Sequence, residues 1–246
     1  VRQVARYLRR HYGGKAIRTQ PKPISLIDMK MIILEAGDTA PGPDGVPLLA
    51  YKKMVDKVAP IFLGVIKELM EGRRPPEGFN DAIFHLLPKK GTGWIEDTRP
   101  LSVSNTYNRI IASAIKWAIQ PSILEILSEK QSGFWPGKSV EDNIEIFNEE
   151  FYKAYDENSE YSMMLFDFAK AFDSVAHKAL HAVLEHIQLP EGYANAIKGL
   201  FHDIRVKTNF KGGGKYFYSY SFGYKAGLPS FPTAVSGRHG RTKLDA

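Results

Sequence analysis

The chain has 246 residues, 43% of them hydrophobic and 24% charged, a normal composition for a folded protein with ample material for a core. It has no cysteine, which excludes disulfide frameworks and Cys-ligated zinc, and it contains neither a run of about 20 apolar residues nor a signal-peptide pattern, so a soluble intracellular protein is expected. The net charge of +6 is unevenly spread: residues 1–30 and 205–246 each hold eight Lys/Arg against one acid, while 31–204 hold seventeen against twenty-five. Basic ends around an acidic middle suit a protein that grips a polyanion and keeps carboxylates for cations. The first residue is Val1, which suggests a fragment or an internal reading-frame segment.

In chain order, residues 1–24 form a basic arm with Arg2, Arg6, Arg9, Arg10, Lys15, Arg18 and Lys22, helical to Tyr12 and broken by Gly13-Gly14 and by Pro21 and Pro23. Ser25-Leu-Ile-Asp28 reads as a capping box opening a helix that closes at Gly37. Ala40-Pro-Gly-Pro-Asp-Gly-Val-Pro47 is a stiff turn-rich loop. Helical pattern covers Leu48 to Met70 with an interruption expected at Pro60, and Gly72 to Gly78 is loop. Ala82 to Pro88 reads as a strand, Lys89 to Gly93 as a basic turn, and Asp97 to Asn105 as extended around Pro100. Tyr107 to Leu127 is a long helix with a break or kink expected at Pro121, and Gln131 to Lys138 is loop.

A second capping box, Ser139 to Asp142, leads a helix whose stripe Val140, Ile144, Phe147, Phe151 has the spacing of a packing surface. The run Met163 to Phe166 has no helical period and reads as a strand covered on both faces. It ends in Asp167, where a carboxylate is either an exit cap or the ligand of a cation. Amphipathic helices follow at Val175 to Ile187 and after Pro190. Residues 205–210 and 216–222 then alternate with period two around Lys211-Gly-Gly-Gly-Lys215, a hairpin signature.

Five landmarks occur in a distinctive order: Ala-Pro-Gly-Pro-Asp-Gly (40–45); Leu-Pro-Lys-Lys-Gly with Thr-Arg-Pro-Leu-Ser; Gln-Ser-Gly-Phe with Gly-Lys-Ser and Asp-Asn; Asp167-Phe-Ala-Lys-Ala-Phe-Asp173; and Gly-Tyr-Lys-Ala-Gly-Leu-Pro after the hairpin. Together they resemble the reverse transcriptase domain of non-LTR (LINE-type) retrotransposons over about Ala40 to Pro232. The resemblance implies an α+β fold of right-hand polymerase type, with fingers and a partial palm and no thumb. It divides the chain into a basic arm (1–24), a fingers-like helical region (25–157) with a basic loop at 82–105, a partial palm (158–230) and an unrelated tail (231–246).

By the same resemblance, Asp167 is the first metal-binding catalytic aspartate of a two-metal nucleotidyl-transfer site, served by Mg²⁺ or in its place Mn²⁺, with the Phe168 backbone carbonyl as a further ligand. Lys89 or Lys90 and Arg99 correspond to residues that neutralise the incoming dNTP triphosphate. Phe172 corresponds to the aromatic under the sugar that leaves no room for a 2′-hydroxyl, and Asp173 to a structural helix start. Gly227 and Pro229 correspond to a loop on the incoming base and template, although Ala226 stands where the family has glutamine. Gln131, Phe134 and Lys138 correspond to a template-contacting stretch.

RNA template, DNA primer and dNTPs are the implied partners, with no membrane, and a nuclear site of action is implied. The family's adjacent pair of palm aspartates has no counterpart, because no Asp-Asp pair occurs in the chain. One reading is therefore a piece of a reverse transcriptase that is inactive alone. A second is a degenerate or domesticated copy acting as an RNA- or single-stranded-DNA-binding module. A third is an unrelated α/β structural protein.

Overall fold

The computed structural model describes residues 2–12, 16–88, 98–128, 131–133, 136–157, 159, 162, 164–167, 175–209 and 215–220. The order of elements is α1 (Arg2–Tyr12), α2 (Leu26–Glu35), α3 (Leu48–Lys53), α4 (Val55–Met70), β1 (Ala82–Pro88), β2 (Thr98–Ser104), α5 (Thr106–Ile126), α6 (Val140–Asp156), α7 (His177–His186), α8 (Glu191–Leu200), β3 (Ile204–Asn209) and β4 (Lys215–Tyr220). The fold is α+β, with a helical assembly beside one mixed sheet ordered β2-β1-β3-β4. β1 and β2 pair antiparallel, as do β3 and β4, while β1 and β3 run parallel with Ala82 opposite Val206. Among the described residues no helix is long and apolar enough to cross a membrane.

The core lies among the helices. Met29 and Ile33 of α2, Phe62, Ile66 and Leu69 of α4, and Ile110, Ile111, Ala114, Ile115 and Ala118 of α5 close into one cluster with Leu184, Tyr193, Ala194 and Ala196 of α7 and α8. α8 approaches α4 closely at Gly199, where a Cβ would lie 2.8 Å from a Leu69 methyl and would require that side chain to shift. The capping box at Ser25 forms as the sequence requires, with the Ser25 N–H donating to the Asp28 carboxylate at 2.9 Å and the Asp28 N–H to Ser25 Oγ at 3.2 Å.

The basic arm is joined to this core. Ile17 is buried and its N–H donates to the Ile187 carbonyl at 3.0 Å. The Arg18 and Thr19 N–H groups donate to the Glu125 carboxylate, and the Lys22 N–H donates to the Ala118 carbonyl at 2.9 Å. Tyr193 closes the strap by donating to the Lys22 carbonyl at 2.7 Å. α1 packs on α7, and its Arg6, Arg9 and Arg10 are exposed.

Four expectations are corrected. The helical break falls at Met54, not Pro60, which sits inside α4; Met54 N–H still reaches the Ala50 and Tyr51 carbonyls, so α3 ends in its own turn before α4 starts. α5 continues through Pro121, with Ala118 and Ser122 buried on either side, so packing outweighs the missing N–H. The α6 stripe is not a packing surface within the described structure: Val140, Ile144 and Phe151 are 66%, 52% and 48% exposed, and Ala154 is the buried residue of that helix. Finally, Met164, Leu165 and Phe166 are 74%, 85% and 79% exposed and take no strand conformation. A covered strand needs ladder partners, and this segment pairs with none of the described strands β2-β1-β3-β4.

Candidate functional site

The first landmark folds as its composition dictates. Gly42 to Gly45 is a turn, with the Gly45 N–H donating to the Gly42 carbonyl at 3.0 Å and Gly45 at φ +71°, a conformation that favours glycine. The Asp44 side chain accepts from the Val46 N–H at 3.1 Å, an Asx turn that stiffens the exit.

The N-terminus of α5 fastens this loop. Asn105 stands at the N-cap position, yet its side chain makes no cap bond to its own helix. Its Oδ1 accepts from the Asp44 N–H at 3.0 Å and its Nδ2 donates to the Tyr107 hydroxyl at 3.0 Å. Thr106 Oγ1 donates to the Val46 carbonyl at 2.9 Å, and the Arg109 guanidinium to the Ala40 carbonyl at 2.6 Å. Gly42 lies directly on the Asn105 backbone, where a Cβ would sit 2.5 Å from both N and Cα.

Below the loop a cleft of about 500 Å³ opens between α4, the loop before β1, and the start of α5, with Phe62, Val65, Phe79 and Ile111 as apolar wall and Asp44, Asp81 and Lys207 among its polar groups. A buried amide chain braces it: Tyr107 donates to the Phe79 carbonyl at 3.1 Å, Asn108 Nδ2 to Asn80 Oδ1 at 2.8 Å, and Asn80 Nδ2 to the Gly199 and His202 carbonyls. Burial, reinforced by the Asp44 charge, pushes the Tyr51 phenol up to about 12, and burial likewise raises Tyr107. Asp81, its side chain 8% exposed, accepts from Arg205 Nε at 3.1 Å and faces Lys207 Nζ at 3.3 Å, while Arg205 also pairs with Glu77. This ion cluster ties the segment before β1 to β3.

The β1–β2 register places Leu87 opposite Arg99 and Pro88 opposite Thr98. Arg99 thus stands at the end of the hairpin from which Lys89 and Lys90 follow in sequence. Lys89, Lys90, Phe134, Phe168, Phe172, Asp173, Gly227 and Pro229 lie outside the described residues. Gln131 is exposed and donates to the Gly133 carbonyl at 3.1 Å, and Lys138 is half-buried before α6. Asp167 is exposed at the end of the segment 164–167, which has no regular secondary structure. Among the described residues no group of three His, Asp or Glu side chains could hold a metal ion, so the carboxylates described do not fit a two-metal centre.

Sequence reasoning missed the bracing residues Asn80, Asp81, Asn105, Tyr107 and Asn108. The signal was present as polar residues at the entry to an apolar strand and at the head of an apolar helix, where buried polar groups must find partners.

A family model described as "Reverse transcriptase (RNA-dependent DNA polymerase)" matches residues 87–235. The "Transposon TX1 uncharacterized 149 kDa protein" of Xenopus laevis is 27% identical over 192 residues, covering 76% of this chain and 15% of that protein. The "Retrovirus-related Pol polyprotein from type-1 retrotransposable element R2" of Nasonia vitripennis is 26% identical over 208 residues, covering 82% of this chain and 19% of its own length.

Proposed function

Since the chain belongs to the reverse transcriptase (RNA-dependent DNA polymerase) family, in its non-LTR retrotransposon branch, we propose that it is the substrate-holding part of such an enzyme: it positions RNA template, DNA primer and dNTP and does not by itself complete nucleotidyl transfer. The observation that carries the reading is the family match across 87–235, which takes in the end of β1, all of β2, Asp167 and the strands β3 and β4 in one span. On this proposal residues 25–157 act as fingers with the basic loop 82–105, residues 158–230 as a partial palm, residues 1–24 as a nucleic-acid arm and 231–246 as a tail.

The hairpin end carrying Arg99, with Lys89 and Lys90 next in the chain, supplies a guanidinium fork and ammonium point charges for a triphosphate. Phe172 selects the deoxy sugar, Gly227 and Pro229 face the incoming base and template, and Gln131, Phe134 and Lys138 touch the template strand. Asp167, with the Phe168 carbonyl, is the single contribution of this segment to a Mg²⁺ site in the parent enzyme; the adjacent aspartate pair that would complete it is not in the sequence. The place of action proposed is inside the cell, at nuclear DNA.

Primer extension on an RNA template, with Mg²⁺ or Mn²⁺, tests this directly. The chain should incorporate no nucleotide; incorporation that Asp167→Asn abolishes would overturn the proposal. The single carboxylate also favours the second reading, a domesticated module that only binds RNA or single-stranded DNA. The two separate on the genomic sequence beyond Ala246 or in another frame near Phe231: an apolar helix and an Asp-Asp hairpin there support the enzyme, and their absence supports the module.

A further inference from the structure

A second pocket, of about 260 Å³, lies along the C-terminal half of α5, lined by Lys22, Trp117, Gln120, Pro121, Leu124 and Pro136. Three parts of the chain converge there: the strap of the arm, the middle of α5, and the loop before α6. Trp117 is partly buried against the core, and Lys22 Nζ stands 5.4 Å from its ring centroid.

The backbone of Lys22 is held from both sides, by its N–H bond to Ala118 and by the Tyr193 hydroxyl on its carbonyl, so the strap is fixed while the ammonium retains the freedom of four methylenes. A solvent-facing contact between an ammonium and an indole is weak and readily exchanged for a phosphate oxygen. Release of the lysine uncovers a tryptophan in a slot walled by two prolines and a leucine, with the Gln120 amide supplying both a donor and an acceptor. Exposed Lys116 precedes the tryptophan on α5, and exposed Arg18 lies four residues before Lys22 on the strap.

We propose that the Lys22–Trp117 pocket receives one unpaired base of a single-stranded polynucleotide, with Lys22 moving from the indole to the adjoining phosphate. An aromatic platform beside a mobile cation is the combination that takes a single strand without regard to its sequence. None of the pocket's lining residues belongs to β1, β2 or residues 164–167, and the proposal holds whether the chain acts as part of a polymerase or as a binding module.

The test uses the full chain carrying Trp94→Phe and Trp135→Phe, which leaves Trp117 as the sole tryptophan. Titration with a single-stranded oligouridylate, and in a second arm oligothymidylate, should quench and shift its emission to saturation while anisotropy of the labelled oligomer reports binding. Heparin, a polyanion without bases, should bind without the quench. Lys22→Gln should weaken oligomer binding about three- to tenfold and lower the slope of log affinity against log salt by about one, and Gln120→Glu should weaken it while the circular dichroism spectrum stays unchanged. Bound oligomer with unaltered emission, or an equal response to heparin, or binding indifferent to both variants, would overturn the site.

Discussion

Gly42→Ala is the sharpest test of how the first landmark is used. The added methyl would sit 2.5 Å from the Asn105 N and Cα and 2.6 Å from the Ser104 carbonyl carbon, all backbone atoms at the head of a buried helix. An ordinary contact begins near 3.4 Å, so the loop must withdraw by about 0.9 Å, since the start of α5 is anchored in the core. Overpacking of this kind costs about 1–3 kcal/mol. The withdrawal also opens the bonds from the Asp44 N–H, Thr106 and Arg109, of 3.0, 2.9 and 2.6 Å, each worth about 1 kcal/mol net. If the loop gives partly, the expected loss is about 3 kcal/mol, or about 6–12 °C in Tm for a chain of this size. Urea unfolding followed by circular dichroism measures it. Gly37→Ala is the internal control, because nothing lies within 4 Å of its Cβ; that variant should change stability by less than about 1 kcal/mol. Equal stability of the two variants would refute the packing of the loop on α5.

Asn80→Ala removes the hub of the buried amide chain and takes one hydrogen-bond partner from each of Asn108 and the Gly199 and His202 carbonyls, so thermal or urea denaturation should show a loss of about 1–3 kcal/mol; an unchanged midpoint would deny the network its bracing role. Burial holds His177 and His181 below the ordinary histidine range, aided for His181 by Lys198 and His177 and opposed by Glu185. The native state therefore binds fewer protons than the unfolded chain, so the contribution is complete above about pH 6.5 and is lost as pH falls below it. Urea midpoints should drop between pH 7.5 and 5.5, and His181→Gln should flatten that drop; a rise on acidification would reverse the reasoning. Ile144→Lys on α6 should alter stability by no more than about 0.5 kcal/mol, since its side chain is 52% exposed; a large loss would show that the stripe is covered in solution.

Local signals in the sequence carried most of the fold. Both capping boxes, the strand at Ala82 to Pro88 and the hairpin around Lys211 to Lys215 are specified by residues within a few positions of one another, and they appear where expected. The break assigned to Pro60 and the burial assigned to Met164 to Phe166 failed because neither is a local matter. A proline inside a helix survives when the flanking turns are packed, as Ala59 and Phe62 are. An apolar run becomes a covered strand only when partners flank it, and hydrophobicity alone cannot say whether they do. The candidate site divides in the same way. The residues expected for phosphate and metal chemistry rest on motif order alone, whereas the amides and ions that brace the cleft depend on contacts between Asn80 and Gly199 or Asp81 and Arg205, distant partners that no motif announces.

The parallel pairing of β1 with β3 has a consequence for biosynthesis. Asp81 and Arg205, at the mouth of that pairing, are 124 residues apart. At about 5–20 residues per second a ribosome needs about 6–25 s to deliver the second after the first. Throughout that interval the β1 edge that β3 will occupy stands open on the nascent chain, a template for any other extended segment. Holding that edge until β3 emerges is a task for a chaperone, and expression with slowed elongation should raise the aggregated fraction.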